Sequence, residues 1–224
     1  MKKACCPGRD NRRLDEASQK DVAMSSVIKV GGSLLSFPDL AVRIKQLIKS
    51  CNDDRVALLI GGAEAADAVR EWDRTFKLTP IESHQLAIEA MSLTASFAEK
   101  LISGTKHCWT RYEVEVAWST GRTPILDACS LIEELIADGC NTLPAGWHVT
   151  SDSIAAWLSI HWPFDRVIFA KSVDAPADLA ATDTLDAYLP ILLPRLSEIW
   201  WCNLRAPVPV AVNTRRADEV RALR

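Results

Sequence analysis

No stretch of the 224-residue chain approaches the roughly 20 consecutive apolar residues that a helix needs to cross a bilayer, so a membrane-spanning role is not expected. The leading "MKKACCPGRDNRRLDEASQKD" has charges but no apolar segment, which excludes a secretory signal. Charge of one sign is missing too: 26 Lys and Arg against 29 Asp and Glu leave a net charge of −3, with no electrostatic footprint for nucleic acid. Seven cysteines, at 5, 6, 51, 108, 129, 140 and 202, include no C-x-x-C. An odd, scattered set fits reduced thiols in a cytoplasmic protein better than a disulfide framework, and the adjacent Cys5 and Cys6 read as incidental. Four histidines, at 84, 107, 148 and 161, show neither H-E-x-x-H nor zinc-ligand spacing, so no protein metal site is expected.

What is present is the balance of a globular protein, 48% hydrophobic and 25% charged. Residues 1–24 read as a disordered extension and 25–224 as one domain. Apolar runs at 27–30 and 56–60 alternate with helical patterns at about 39–50 and after Gly62. The longest helix candidate runs from about 81 to 103, with Gly104 as its C-cap. Further strands are expected at 124–126, 166–170, 198–201 and 208–212, and helices at about 129–138, 152–161, 184–193 and 215–223. Runs apolar on both faces imply strands covered on both sides. The alternation predicts a three-layer α/β/α sandwich around a mainly parallel sheet.

Two of these strands end in glycine pairs, Gly31-Gly32 and Gly61-Gly62. In open parallel sheets, ligands bind beyond the carboxyl ends of strands, where helix N-termini offer free N–H groups. Glycine lets the backbone approach an oxyanion closely. A P-loop is excluded because Lys29 precedes its glycines, and "GGSLLS" lacks the G-x-G-x-x-G of a dinucleotide fold.

The order K-x-G-G-S after a strand resembles the amino acid kinase superfamily, whose members include acetylglutamate, carbamate, aspartate and uridylate kinases. "LLIGGAEAADAVREWD" resembles that family's second glycine loop and helix, "HVTSDSIAAWLS" its helix opening on an aspartate, and "RVIFAKSVDA" its nucleotide loop. The four blocks come in the family's order. The combination of "GGAEAADAVREWDRTFKLTPIESHQLAIEAM" with "TSDSIAAWLS" is similar to one branch, the aminomethylfuran phosphate kinases of methanofuran-type one-carbon cofactor biosynthesis.

The resemblance implies an amino acid kinase fold and an ATP-dependent enzyme that transfers the γ-phosphoryl group to a phosphate or carboxylate of a small-molecule acceptor. Lys29 would hold the transferred group, and Asp152 would orient the active-site lysines. The backbone of Gly31, Gly32 and Ser33 would cradle the nucleotide phosphates, while Gly61, Gly62 and Ala63 would face the acceptor. Asp174 would lie in the nucleotide loop. Mg2+ would bridge the ATP phosphates and keep mostly water ligands, and a homo-oligomer is implied. Lys171, beside Ser172, is either the second active-site lysine or a solvated loop lysine. Ala63 and Ala175 stand where the family favours glycine, which costs little at negative φ and more at positive φ. Alternatives are another family acceptor (an amino acid or UMP) and a catalytically degenerate nucleotide-binding storage or regulatory protein. A cap by Thr150 or Ser151 is expected at the start of the Asp152 helix. His84, the Asp67/Arg70 pair and Trp200-Trp201 read more simply as a helix-surface or interface histidine, a local ion pair and core or subunit-interface packing. Arg215 and Arg216 read as the start of a solvated helix.

Overall fold

The computed structural model describes residues 24–162, 164–179 and 183–214. The expected extension as far as residue 23, including Cys5 and Cys6, lies outside the described residues. So does the expected last helix, with Arg215 and Arg216.

The two leading apolar runs become β1 (Ser25–Val30) and β2 (Arg55–Ile60), each buried along nearly its whole length. With β3 (Thr105–Cys108), β4 (Thr123–Leu126), β5 (Arg166–Lys171), β6 (Glu198–Asn203) and β7 (Val212–Asn213) they form one sheet of order β3-β4-β2-β1-β5-β6-β7. Every pairing is parallel except β6 with β7. The connecting helices are α1 (Leu40–Cys51), α2 (Ala63–Phe76), α3 (Pro80–Leu101), α4 (Arg111–Ser119), α5 (Ala128–Ala137), α6 (Ser151–His161) and the single turn α7 (Leu189–Leu192).

Side chains of a strand alternate between its faces, and here both faces are covered. Val27, Leu59, Val167 and Phe169 pack with Leu131 of α5 and Ile154 and Trp157 of α6. Ile28, Leu58, Ile60 and Ile168 pack with Ile44 and Leu47 of α1 and Ala95 and Ala98 of α3. Each fully buried Ile or Leu stabilises the fold by roughly 1.5–3 kcal/mol. The three-layer sandwich expected from the sequence is therefore the observed one.

Four local expectations change. β3 and α4 were not foreseen, because "TKHC" has no apolar run. Its buried polar groups are satisfied in place: Thr105 donates to the Ile102 carbonyl at 2.6 Å, and His107 Nε2 lies 2.9 Å from Asp127 Oδ2. The helix expected at 184–193 shrinks to α7 and a following 3-10 turn, since Pro190 and Pro194 remove donors. The strand expected at 208–212 shrinks to β7, because Pro207 and Pro209 cannot join a ladder. α3 begins at Pro80 with a capping box between Thr79 and Glu82, and ends at Leu101. Ile102, not Gly104, is its C-cap, and Gly104 (φ +91°) turns the chain into β3.

From β1 the chain moves to β2 on one side and later to β5 on the other. The carboxyl end of β1 is thus the switch point where such sheets bind ligands. Residues 31–33 lie there, flanked by the loops that follow β2 and β5.

Candidate active site

Lys29 projects from the end of β1 and is only 3% exposed, while Asp152, in the first turn of α6, is 4% exposed. An unpaired charge at that depth would be prohibitively costly, so the two must be read together. Lys29 Nζ lies 2.8 Å from Asp152 Oδ1 as a close ion pair, and Lys171 Nζ donates to Oδ2 at 2.7 Å. One carboxylate therefore bridges two ammonium groups. Burial works to raise the Asp152 carboxyl, but the Lys29 and Lys171 charges outweigh it and hold the group below its ordinary value. Burial and the Lys29 charge push Lys171 down to about 8, against the opposing pull of Asp152. The trio thus places two ammonium groups on one carboxylate, with Lys29 and Asp152 buried.

Lys171 also donates to the Thr184 carbonyl at 2.8 Å. The structure thus places the side chain of Lys171 against Asp152 instead of in bulk solvent. Its ammonium lies 5.9 Å from the Trp201 ring centroid. Trp201 is itself core, 1% exposed, and its indole donates to the Val173 carbonyl at 2.9 Å, fixing the loop after β5.

The glycine pairs divide their work differently from the expectation. Gly31 N–H is already bonded to the Ala170 carbonyl and Gly61 N–H to Val30, both at 2.9 Å, so neither is free for a phosphate. The free donors come next along the chain. Gly32 and Ser33 open a 3-10 turn, and Ala63 and Glu64 open α2, positions whose N–H groups have no acceptor within the helix. The two loops touch backbone to backbone: a Cβ on Gly32 would lie 2.7 Å from Ala63 N, and one on Gly61 2.9 Å from Gly32 N.

Ala63 adopts φ +48°, so the alanine in the glycine-favouring position is strained. Ala175 is not among the described residues with positive φ and carries no such cost. Ala63→Gly is expected to raise stability by about 0.5–1 kcal/mol, the strain relief exceeding glycine's larger unfolded-state entropy. Urea denaturation checks this, and an equal loss of stability would contradict it.

On the β5 side, Ser33 and Ser172 hydroxyl oxygens lie 3.4 Å apart, and Asp174 accepts from Asn203 Nδ2 at 2.8 Å. Arg205 reaches the Ser33 carbonyl at 3.3 Å, so the carboxyl ends of β1, β5 and β6 meet over one open face. Asn203 and Arg205 carry no motif and are invisible to local sequence pattern. On the α2 side a cavity of about 240 Å³ opens from Gly32, Ser33, Gly62 and Ala63 down between α2 and α3. Asp67, Arg70 and His84 all line it, although local sequence suggested blander roles. The Asp67–Arg70 pair is real, at 2.6 Å, and the guanidinium also stacks 4.7 Å from the Trp147 ring centroid. Burial lowers the His84 imidazole, opposed by a backbone hydrogen bond with Gly146 and assisted by His148.

The cap of α6 also differs. Thr150 holds the N-cap position but makes no side-chain cap bond. Its N–H and hydroxyl both donate to Asp186, at 2.8 and 2.9 Å. Among the described residues no three His, Cys, Asp or Glu side chains converge as a metal cage. No described helix is long and apolar enough to cross a membrane.

Two lysines on one aspartate thus sit between two glycine loops at the switch point, a charge arrangement suited to an anion. Comparisons with known proteins agree with that chemistry. No protein-family model matches the chain. It is 27% identical over 154 residues, 68% of each protein, to (5-(aminomethyl)furan-3-yl)methyl phosphate kinase of Methanocaldococcus jannaschii. The UMP kinase of Ureaplasma parvum superposes with a TM-score of 0.58 at 13% identity, over 83% of this chain and 92% of the other. The UMP kinase of Bacillus anthracis gives 0.56 at 14% identity, over 82% and 88%. At such identities these structures show a shared fold. The amino acid kinase superfamily expected from the motifs is the one into which these relatives fall, and all of them are phosphotransferases.

Proposed function

We propose that the chain transfers the γ-phosphoryl group of ATP to an anionic oxygen of a small metabolite, with the Lys29–Asp152–Lys171 bridge as the observation that carries the reading. The residues present fit a triphosphate. Two ammonium groups and the free N–H groups of Gly32 and Ser33 supply positive potential, and Gly32 leaves no room for a side chain between the loops. Magnesium, bound to the nucleotide phosphates, would neutralise charge between them; here it would arrive with the nucleotide.

In the transfer, the bond between the γ-phosphorus and the β–γ bridging oxygen breaks, and a bond from the acceptor oxygen to that phosphorus forms. ADP leaves with the electron pair. An acceptor phosphate or carboxylate is already ionised, so no general base is required. Lys29 would hold the migrating group, Lys171 the leaving side, and Asp152 would keep both ammonium groups aimed at it. Ser172 and Asp174 would border the nucleotide, and Gly62 and Ala63 the acceptor. Such electrostatic preorganisation supplies most of the rate in phosphoryl transfer.

For the acceptor we propose an aminomethylfuran phosphate, as in the Methanocaldococcus relative. Arg70 and the α2 N-terminus suit its phosphate, and the Asp67 carboxylate suits its amine. An ADP-release assay over aminomethylfuran phosphate, UMP and amino acids tests this. The furan phosphate should lead UMP in kcat/KM by about 10²-fold; a lead by UMP would replace the acceptor and leave the transfer chemistry standing. We also propose a homo-oligomer, supported by the exposed apolar stripe Leu93, Phe97 and Leu101 on α3 and checked by sedimentation, where a monomer would refute it.

The bridge also predicts a pH dependence. Lys171 must be charged to grip phosphate, and in the free protein it loses its proton above about 8. kcat/KM for ATP should therefore fall as pH rises through that value, since this parameter reports the free enzyme. Lys171→Arg, which stays protonated, should abolish that alkaline limb. A limb unchanged in the variant would assign it to another group.

A further inference from the structure

Asp186 sits in the loop before α7, 33 residues along the chain from Ser153, and sequence pattern gave no reason to notice it. Its carboxylate accepts from Thr150 N (2.8 Å), Thr150 Oγ1 (2.9 Å), Ser153 N (2.9 Å), Ser153 Oγ and Leu189 N (3.0 Å). Donors at the start of α6 thus converge on a negative charge brought from elsewhere in the fold, where the helix dipole favours it. Hydrogen bonds to an ionised acceptor are also stronger than neutral ones. α6 has no substitute cap of its own.

Two residues before Asp186, the Thr184 carbonyl accepts from Lys171 Nζ. This short segment therefore touches both arms of the bridge. It anchors the helix that carries Asp152, and it holds the ammonium that meets Asp152. Thr150 and Ser151, at the anchored end of α6, also line the cavity on the α2 side.

We propose that Asp186 is a positioning residue for phosphoryl transfer: by capping α6 from outside the helix it fixes Asp152 between Lys29 and Lys171. Its kinetic consequence rests on the kinase reading, whereas its effect on nucleotide binding does not. A displacement of about 1 Å in such a constellation can cost about 10²-fold in rate. Asp186→Asn replaces one accepting oxygen by a donor facing donors, so the cap opens while the side-chain volume is kept.

The test is a double-mutant cycle in the full chain, with Asp186→Asn made in the native and in the Asp152→Asn background. ATP affinity is read by calorimetry, and turnover by ADP release, both below the melting temperature. In the native background kcat should fall by about 10²-fold, ATP affinity should weaken by about tenfold, and KM for the acceptor should change less. In the Asp152→Asn background the same substitution should change ATP affinity and residual turnover by no more than about twofold, because the carboxylate that the cap positions is gone. Equal effects in both backgrounds, or a lowered melting temperature with parental kcat and ATP affinity, would overturn the proposal. If Asp186→Asn does not fold, Asp186→Ser, which keeps one accepting oxygen, enters the same cycle. If the parent binds ATP but shows no acceptor-dependent turnover, the kinase reading fails, and the calorimetric arm still decides the role of Asp186.

Discussion

Lys29→Met is expected to lower kcat by about 10³-fold while leaving the melting temperature close to that of the parent. The size follows from removing one preorganised cation from the proposed phosphoryl-transfer site, where each such group is worth about 10²–10³-fold or more. The retained stability follows from the geometry. Deleting one member of a buried pair normally strands its partner at a cost of about 3–5 kcal/mol. Asp152 is not stranded, because Lys171 still holds its other oxygen at 2.7 Å. Met fills the apolar volume of the lysine stem within the β1 core. Lys171 is also relieved of the Lys29 charge that helps push it down to about 8, so its pKa should rise in the variant. Steady-state kinetics, calorimetric melting and the pH profile check the three parts. A raised KM with unchanged kcat would mean that Lys29 binds the ground state only.

Gly32→Ala is expected to lower kcat/KM by about 10²-fold and to cost about 1–3 kcal/mol of stability. The new Cβ would sit 2.7 Å from Ala63 N and 2.8 Å from Ala63 Cα. These are backbone atoms of a residue already strained at φ +48°, so no flexible side chain can move aside. The loops after β1 and β2 must part, and overpacking of that kind costs a few kcal/mol at most. Separating the Gly32 and Ala63 donors would then misplace the groups proposed to flank the transferred phosphoryl. Gly31→Ala is the control. Its Cβ would meet the Ala170 carbonyl at 3.3 Å, and Gly31 already has φ −61°, so a milder loss is expected. Equal losses at both positions would contradict the interlocked-loop geometry. Kinetics together with urea denaturation separates the rate effect from the stability effect.

The central sheet was legible because β1, β2 and β5 are apolar on both faces and each leads into a turn. The edges were not. β3 is built from polar residues whose burial is compensated by Ile102 and Asp127, and such pairing is invisible to hydrophobic periodicity. In the candidate site, Lys29 and Asp152 stood out because a lysine before two glycines and an aspartate at a helix start are local patterns. The placement of Lys171 depended on a long side chain bringing its ammonium near Trp201, which spacing along the chain does not encode. Asp67, Arg70 and His84 each have a local explanation, and only the packing of α2 against α3 turns them toward one cavity. The use of Gly31 and Gly61 N–H groups in the sheet ladder depends on strand register, which the motif alone does not supply. Asp186 is the extreme case, since a cap delivered from a distant segment leaves no signature near the helix it caps.

Whether the two-lysine bridge serves transfer of a phosphoryl group to a small anionic acceptor is decided by phosphorus-31 NMR of the full chain with magnesium, ATP and aminomethylfuran phosphate. The expected spectra show loss of the γ-phosphate signal of ATP, appearance of ADP, and growth of a diphosphate doublet pair on the acceptor, all abolished by Lys29→Met. ATP bound by the chain but unchanged beside this acceptor, UMP or an amino acid would contradict that role for the bridge.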